Sequence, residues 1–194
     1  MGTMATAIQT QLLSASEFAE LPEPIHGGKM ELVRGKVVVM PPVGPDHGEG
    51  ASDITSHLHG FVRARGLGRV RVETGYWLSA GPDDVRAPDV SFVSEARRAL
   101  ETVVNGVVNQ APDLAIEIVS PNDRESEIAD KVDAYLAAGV LRVWVVRPEQ
   151  KTVTVHRPSD DSHTYRVGDS LTSDDASFSV EGFALPLGEL FAER

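Results

Sequence analysis

Three residues of this chain sit where their charge needs a reason. In DLAIEIVS (113–120) strand alternation places Leu114, Ile116 and Ile118 on one face and Ala115, Glu117 and Val119 on the other. Glu117 is therefore mid-strand with apolar neighbours on both sides, where an ionised carboxylate is costly unless paired, neutralised or bound to a cation. RAPDVSFV (86–93) supplies a second acid, with Val90 and Phe92 on one face and Asp89 and Ser91 on the other. Taken singly, Glu117 also suits a buried salt bridge to an arginine, and Asp89, directly after Pro88, a strand-start turn. Taken as a pair on adjacent strands, they make an all-oxygen pocket suited to Mg²⁺ or Mn²⁺ and not to zinc.

Lys131 is the third. Ile128, Val132, Tyr135 and Leu136 define the buried stripe of a helix directly after the Glu117 strand, and Lys131 lies three residues after Ile128 and four before Tyr135. On the edge of that stripe its ammonium either snorkels to solvent or reaches over the two carboxylates, where it would hold a water or a phosphate oxygen. Glu31, opposite in phase to Met30 and Leu32, and His47, at the start of a helix, are accessory candidates. The other histidines, His26, His57, His59, His156 and His163, show no metal-ligand spacing, and no phosphate-cradling glycine loop or GxSxG elbow is present.

The elements that must position these groups follow from hydrophobic period and breakers. Residues 1–28 read as an arm with a short helix near Ser14–Leu21, ended by Pro22, Pro24, Gly27 and Gly28, and 29–194 as one domain. KMELVRGKVVVM (29–40) reads as a hairpin about Arg34-Gly35. From Asp46, read as an N-cap, Ala51, Ile54, Leu58, Phe61 and Val62 keep helical spacing up to Gly66. Strand-like runs at 69–79 and 87–94, a connection at 95–111 and the strand at 113–120 come next. A helix from Asp123 to Ala138, strands at 140–146 and 151–157, and weaker strand signals at 163–167 and 176–180 complete an α/β (α+β) pattern.

Composition bounds the reading further. At 194 residues the chain can bury a sizeable core. No stretch is apolar enough to span a bilayer, so a soluble protein is expected. With no cysteine there are no disulfides and no cysteine-ligated zinc. No basic segment followed by an apolar core opens the chain, so a cytoplasmic location is expected. Gly2 and Thr6 match a myristoylation pattern, but nothing polybasic follows as a second anchor. A net charge of −11 argues against non-specific coating of nucleic acid. The exception is FVRARGLGRVRV (61–72), where Arg63, Arg65, Arg69 and Arg71 occur without an acid, either as a solvated surface or as a nucleic-acid contact.

PDV (88–90), EIVS (117–120), DKVDAYLAAGV (130–140) and the VWVV strand, with MELVRGKVVVMPP and the histidine after it, resemble the Uma family of endonucleases in the restriction-endonuclease-like PD-(D/E)XK superfamily. The resemblance implies a mixed central sheet flanked by helices, with an N-terminal hairpin and C-terminal strands as additions. It implies that Asp89 and Glu117 are the metal-binding acids, with the peptide carbonyl of Ile118 as a further ligand. The superfamily's usual lysine would fall at Val119, so its role passes to Lys131, where the Uma pattern has a helical lysine.

The expected function is Mg²⁺- or Mn²⁺-dependent hydrolysis of nucleic-acid phosphodiesters, DNA ahead of RNA, by a homodimer. Two alternatives stand beside it: a nucleic-acid or partner-binding protein without turnover, and a hydrolase of a small phosphoester.

Overall fold

Apolar residues at alternate positions build two six-stranded sheets in the computed structural model, which describes residues 12–22, 24, 27–121, 123–159 and 161–192. Gly2, Thr6 and His26 lie outside the described residues. Helix α1 (Ala15–Ala19) is closed by a capping box between Ser14 and Glu17. It buries Ala15 and Phe18 against Leu32 and Val85. Strands β1 (Lys29–Val33) and β2 (Lys36–Met40) form the hairpin, with Arg34 and Gly35 both at positive φ (49° and 75°). That turn matches the twist of paired antiparallel strands.

Helix α2 (Pro45–Arg65) starts slightly before the expected Asp46 cap, since Gly44 is the N-cap and Pro45 the first helical residue. Proline's fixed φ suits that position, and Asp46 instead places its charge at the positive end of the helix. Gly66 ends it in the left-handed region at φ 62°.

The run expected at 69–79 divides into β3 (Gly68–Val72) and β4 (Tyr76–Ser79), which belong to different sheets; the chain turns between them with Glu73 at φ 47°. It crosses back between β5 (Asp84–Arg86) and β6 (Val90–Ser94), so residues 87–89 bridge the two sheets. The connection expected at 95–111 holds a short α3 (Glu95–Arg98) and a small hairpin, β7 (Val103–Val104) and β8 (Val107–Val108).

The later elements are β9 (Leu114–Ile118), α4 (Glu125–Ala137), β10 (Arg142–Arg147), β11 (Thr152–His156), β12 (Ser162–Arg166), β13 (Ser170–Thr172), β14 (Ala184–Pro186) and α5 (Leu187–Leu190). The strand expected at 176–180 is a turn instead. Ser177 has φ 59°, and Phe178 packs edge-on and face-on into Phe61, Phe92 and Phe183.

One six-stranded sheet runs β2-β1-β5-β4-β8-β7 and the other β12-β11-β10-β9-β6-β3, with β13 and β14 paired as a separate two-stranded sheet. The second is mixed, with β9 parallel to β10 but antiparallel to β6. Ile54, Leu58 and Val62 of α2 cover the face bearing Leu114, Ile116 and Ile118. Ile128, Val132 and Tyr135 of α4 cover the face bearing Ala115, Val143 and Val145. Glu117 points toward α4, and the two registers read from alternation are those observed. Among the described residues no helix is long and apolar enough to cross a membrane.

Candidate active site

Asp89 stands where the chain passes from one sheet to the other, immediately before β6, and is buried. Its Oδ1 accepts from Lys29 Nζ at 2.8 Å, and its Oδ2 accepts from the Ile118 backbone N–H at 2.8 Å. His47 Nε2 lies 3.3 Å from the same Oδ2. Burial alone would push this carboxyl up, but the His47 hydrogen bond and the Lys29 ammonium outweigh it and hold it well below the ordinary carboxylate range.

Glu117, on the adjacent strand, is buried and doubly held. Tyr135 donates its hydroxyl to Oε1 at 2.7 Å, and Lys131 donates to Oε2 at 2.8 Å. Burial still pushes the Glu117 carboxyl up, against the pull of Lys131, and the Asp89 charge adds to the rise. Lys131 stays firmly protonated: burial opposes the charge, but Glu117 and Glu31 outweigh it. The tyrosine hydroxyl is pushed far up by burial and by Glu117, so it serves as a donor only.

The accessory acid Glu31 is also buried. It accepts from the Ala87 backbone N–H at 3.1 Å and from Arg86 Nη1 at 3.2 Å, with Lys131 Nζ 3.8 Å away. Arg86 also donates to Asp84 at 2.9 Å. Glu31 thus joins a buried ion network behind Lys131. His47, in the first turn of α2, sits between Asp89 and Ser120, with Nδ1 3.2 Å from Ser120 Oγ.

Asp89, Glu117, Lys131 and His47 line one cleft of about 610 Å³, together with Lys29, Ile118 and Ser120. Lys29, Tyr135, Arg86 and Ser120 were missed from sequence. Lys29 carried a usable signal, because it is two residues before Glu31 and so shares its strand face. The arginine segment does not line this cleft. Arg63 is exposed, Arg65 lies over the Phe61 ring at 3.8 Å, and Arg69 is 3.8 Å from Glu95. Arg71 makes two 2.7 Å hydrogen bonds to Glu101.

Residues 15–187 match the model of the Uma2 family, described as putative restriction endonuclease. The chain belongs to the Uma2 family. A putative nuclease of the DUF820 group from Anabaena variabilis ATCC 29413, solved by crystallography, is 25% identical to it, with a TM-score of 0.75 over 93% of this chain and 98% of the other. No curated protein matches. A Uma2 chain is thus nuclease-like in fold and family, and restriction-endonuclease-like families generally use divalent metals.

The cleft of this Uma2 protein fits such a cation by its chemistry. Asp46, Glu73, Asp89, Glu117, Asp123 and Glu149 contribute six carboxylates against Lys29, Lys131 and His47. Among the described residues no group of three or more acids, histidines or cysteines forms a ready-made cage. Two carboxylates with the remaining positions left to water and phosphate is the habit of Mg²⁺.

Proposed function

We propose that this protein is a metal-dependent endonuclease hydrolysing nucleic-acid phosphodiesters. The observation that carries the reading is the meeting of Asp89, Glu117 and Lys131 in one cleft, with Lys131 bonded to Glu117, on a Uma2 fold. Asp89, Glu117 and the Ile118 carbonyl would hold Mg²⁺ or Mn²⁺, which when bound polarises the phosphoryl group and offsets its charge.

The remaining work falls to the chain's own groups. Lys131 is charged at any working pH and positioned by Glu117 and Glu31, so it orients the attacking water and meets the charge that builds on phosphorus. Lys29 offers a second ammonium from the Asp89 side of the cleft. Tyr135 and the Ile118 N–H fix the two carboxylates before substrate arrives, so little reorganisation is needed. Arg63 and Arg65, exposed at the end of α2, are the contacts we infer for the flanking polyanion, and a C2 homodimer is the assembly we infer.

The test is cleavage of duplex DNA, single-stranded DNA and RNA with Mg²⁺, with Mn²⁺ and with chelator, by wild type, Glu117→Gln and Lys131→Met. Metal-dependent cleavage lost in both variants is expected. Wild type inert on every substrate, or Glu117→Gln with wild-type turnover, would overturn the reading. Cleavage of a small phosphodiester alone would assign the site to the small-ester class.

A further inference from the structure

Ser120, His47 and Asp89 stand side by side in a series that phosphodiester hydrolysis does not require. Ser120 Oγ is 3.2 Å from His47 Nδ1, and His47 Nε2 is 3.3 Å from Asp89 Oδ2. An ionised carboxylate only accepts, so Nε2 carries the proton. With Nε2 protonated toward the carboxylate and the ring otherwise neutral, Nδ1 is the acceptor and Ser120 donates its hydroxyl to it. Hydroxyl to imidazole to carboxylate is the order that activates a serine, here with the two ring nitrogens exchanged relative to the usual arrangement. Asp89 is immobilised for that role by the Ile118 N–H and Lys29.

We infer that the cleft carries a second, metal-independent activity, hydrolysis of uncharged carboxylic esters, with Ser120 as nucleophile, His47 as its base and Asp89 orienting the histidine. The surroundings suit it. Ser120 lies two residues past the end of β9 and is half-buried in the cleft wall. The first turn of α2, to which His47 belongs, borders the same cleft, and no side chain caps it. Pro45 has no N–H and Gly48 donates to the Gly44 carbonyl, so the Asp46 and His47 backbone N–H groups would be the donors for an oxyanion. Met40, Pro42, Val43, Val119, Pro121 and Pro148 give an apolar wall for a small acyl group. A neutral ester meets no charge repulsion from the carboxylates of Asp46, Glu73, Asp123 and Glu149 in the absence of metal.

In the reaction Ser120 Oγ bonds to the acyl carbon as its proton passes to His47 Nδ1. The carbon–oxygen bond to the alcohol breaks, and the alcohol leaves with that proton. Water then attacks the acyl-serine, giving a proton to Nδ1, and the acid leaves as that proton returns to Oγ. Ester and water become acid and alcohol, with no redox partner.

The experiment uses the full chain in excess chelator, where a metal-dependent nuclease is silent, so its outcome is separate from that of the nuclease reading. Hydrolysis of p-nitrophenyl acetate and butyrate is followed, and a fluorophosphonate probe is mapped by intact mass and peptide mass spectrometry. One label on Ser120 is expected, with kcat/KM lowered about 100-fold or more in Ser120→Ala and in His47→Gln. Circular dichroism and melting of Ser120→Ala establish that its fold is kept; if His47→Gln does not fold, Ser120→Ala and the mapped label decide alone. A wild-type rate no higher than that of Ser120→Ala, or labelling that persists in that variant, would overturn the inference.

Discussion

Tyr135→Phe isolates the contact that fixes Glu117. The ring is fully buried and its hydroxyl donates to Glu117 Oε1 at 2.7 Å, so the substitution keeps the packing and deletes one donor to a buried carboxylate. Hydrogen bonds to charged groups contribute about 1.5–3 kcal/mol. For a chain of this length each kcal/mol moves Tm by about 2–4 °C, so a fall of about 3–12 °C is expected. Lost donation also pushes the Glu117 carboxyl still higher, so the gap to wild type should narrow as pH falls and Glu117 takes up a proton in both proteins. In a Glu117→Gln background the acceptor is neutral and the same change should cost only about 0.5–1.5 kcal/mol. Urea unfolding of the four proteins at neutral pH, with metal chelated, measures this cycle. A Tyr135→Phe protein within about 0.5 kcal/mol of wild type, which is the usual effect of an uninvolved substitution, would refute the reasoning, and so would an equal cost in both backgrounds.

Four further outcomes are expected. Glu117→Gln without metal should melt no lower than wild type at neutral pH: its carboxyl is pushed up, so ionising it in the fold costs stability, and the difference should close as pH falls toward the ordinary carboxylate range. Asp89 has the opposite sign. Its depressed carboxyl stabilises the fold above the unfolded value of about 3.9 and loses that contribution as pH falls below it, so Asp89→Asn should flatten the acid limb of a stability-versus-pH curve. In the basic segment, Arg71→Ala should lower Tm through loss of the Glu101 pair. Arg63→Ala with Arg65→Ala should leave Tm nearly unchanged while flattening the salt dependence of DNA binding by up to about 0.9 per lost contact, as read by anisotropy titrations.

Glu117 and Lys131 were legible because their positions conflict with local hydrophobicity. Glu117 interrupts an apolar strand and Lys131 borders an apolar helical stripe, and both conflicts survive folding. The partners were less legible because they depend on distant pairing. Lys29 shares a strand face with Glu31, which the sequence does show, but it reaches Asp89 only because β1 pairs with the distant β5, with Leu32 opposite Val85. Tyr135 read as core, as its ring is; its hydroxyl required knowing which strand α4 covers. Arg71 shared an acid-free run with Arg63 and Arg65, yet its partner Glu101 is 30 residues away. The false strand at 176–180 arose from apolar residues that serve an aromatic cluster, where side-chain packing and a left-handed Ser177 override alternation.

The chain changes sheets at residues 87–89, and this makes the cleft a gauge of how the two sheets are seated. Lys29 and Glu31 are carried by one sheet, Glu117 by the other, and Asp89 is the splice between them. A slip of one sheet past the other leaves each sheet's own ladder of hydrogen bonds whole, yet it separates Lys29 from its carboxylate and draws Lys131 away from Glu31. Heating or denaturant would therefore disable the site before secondary structure melts. Hydrogen exchange should register the same order, with the backbone around 87–89 opening ahead of β9 and β10.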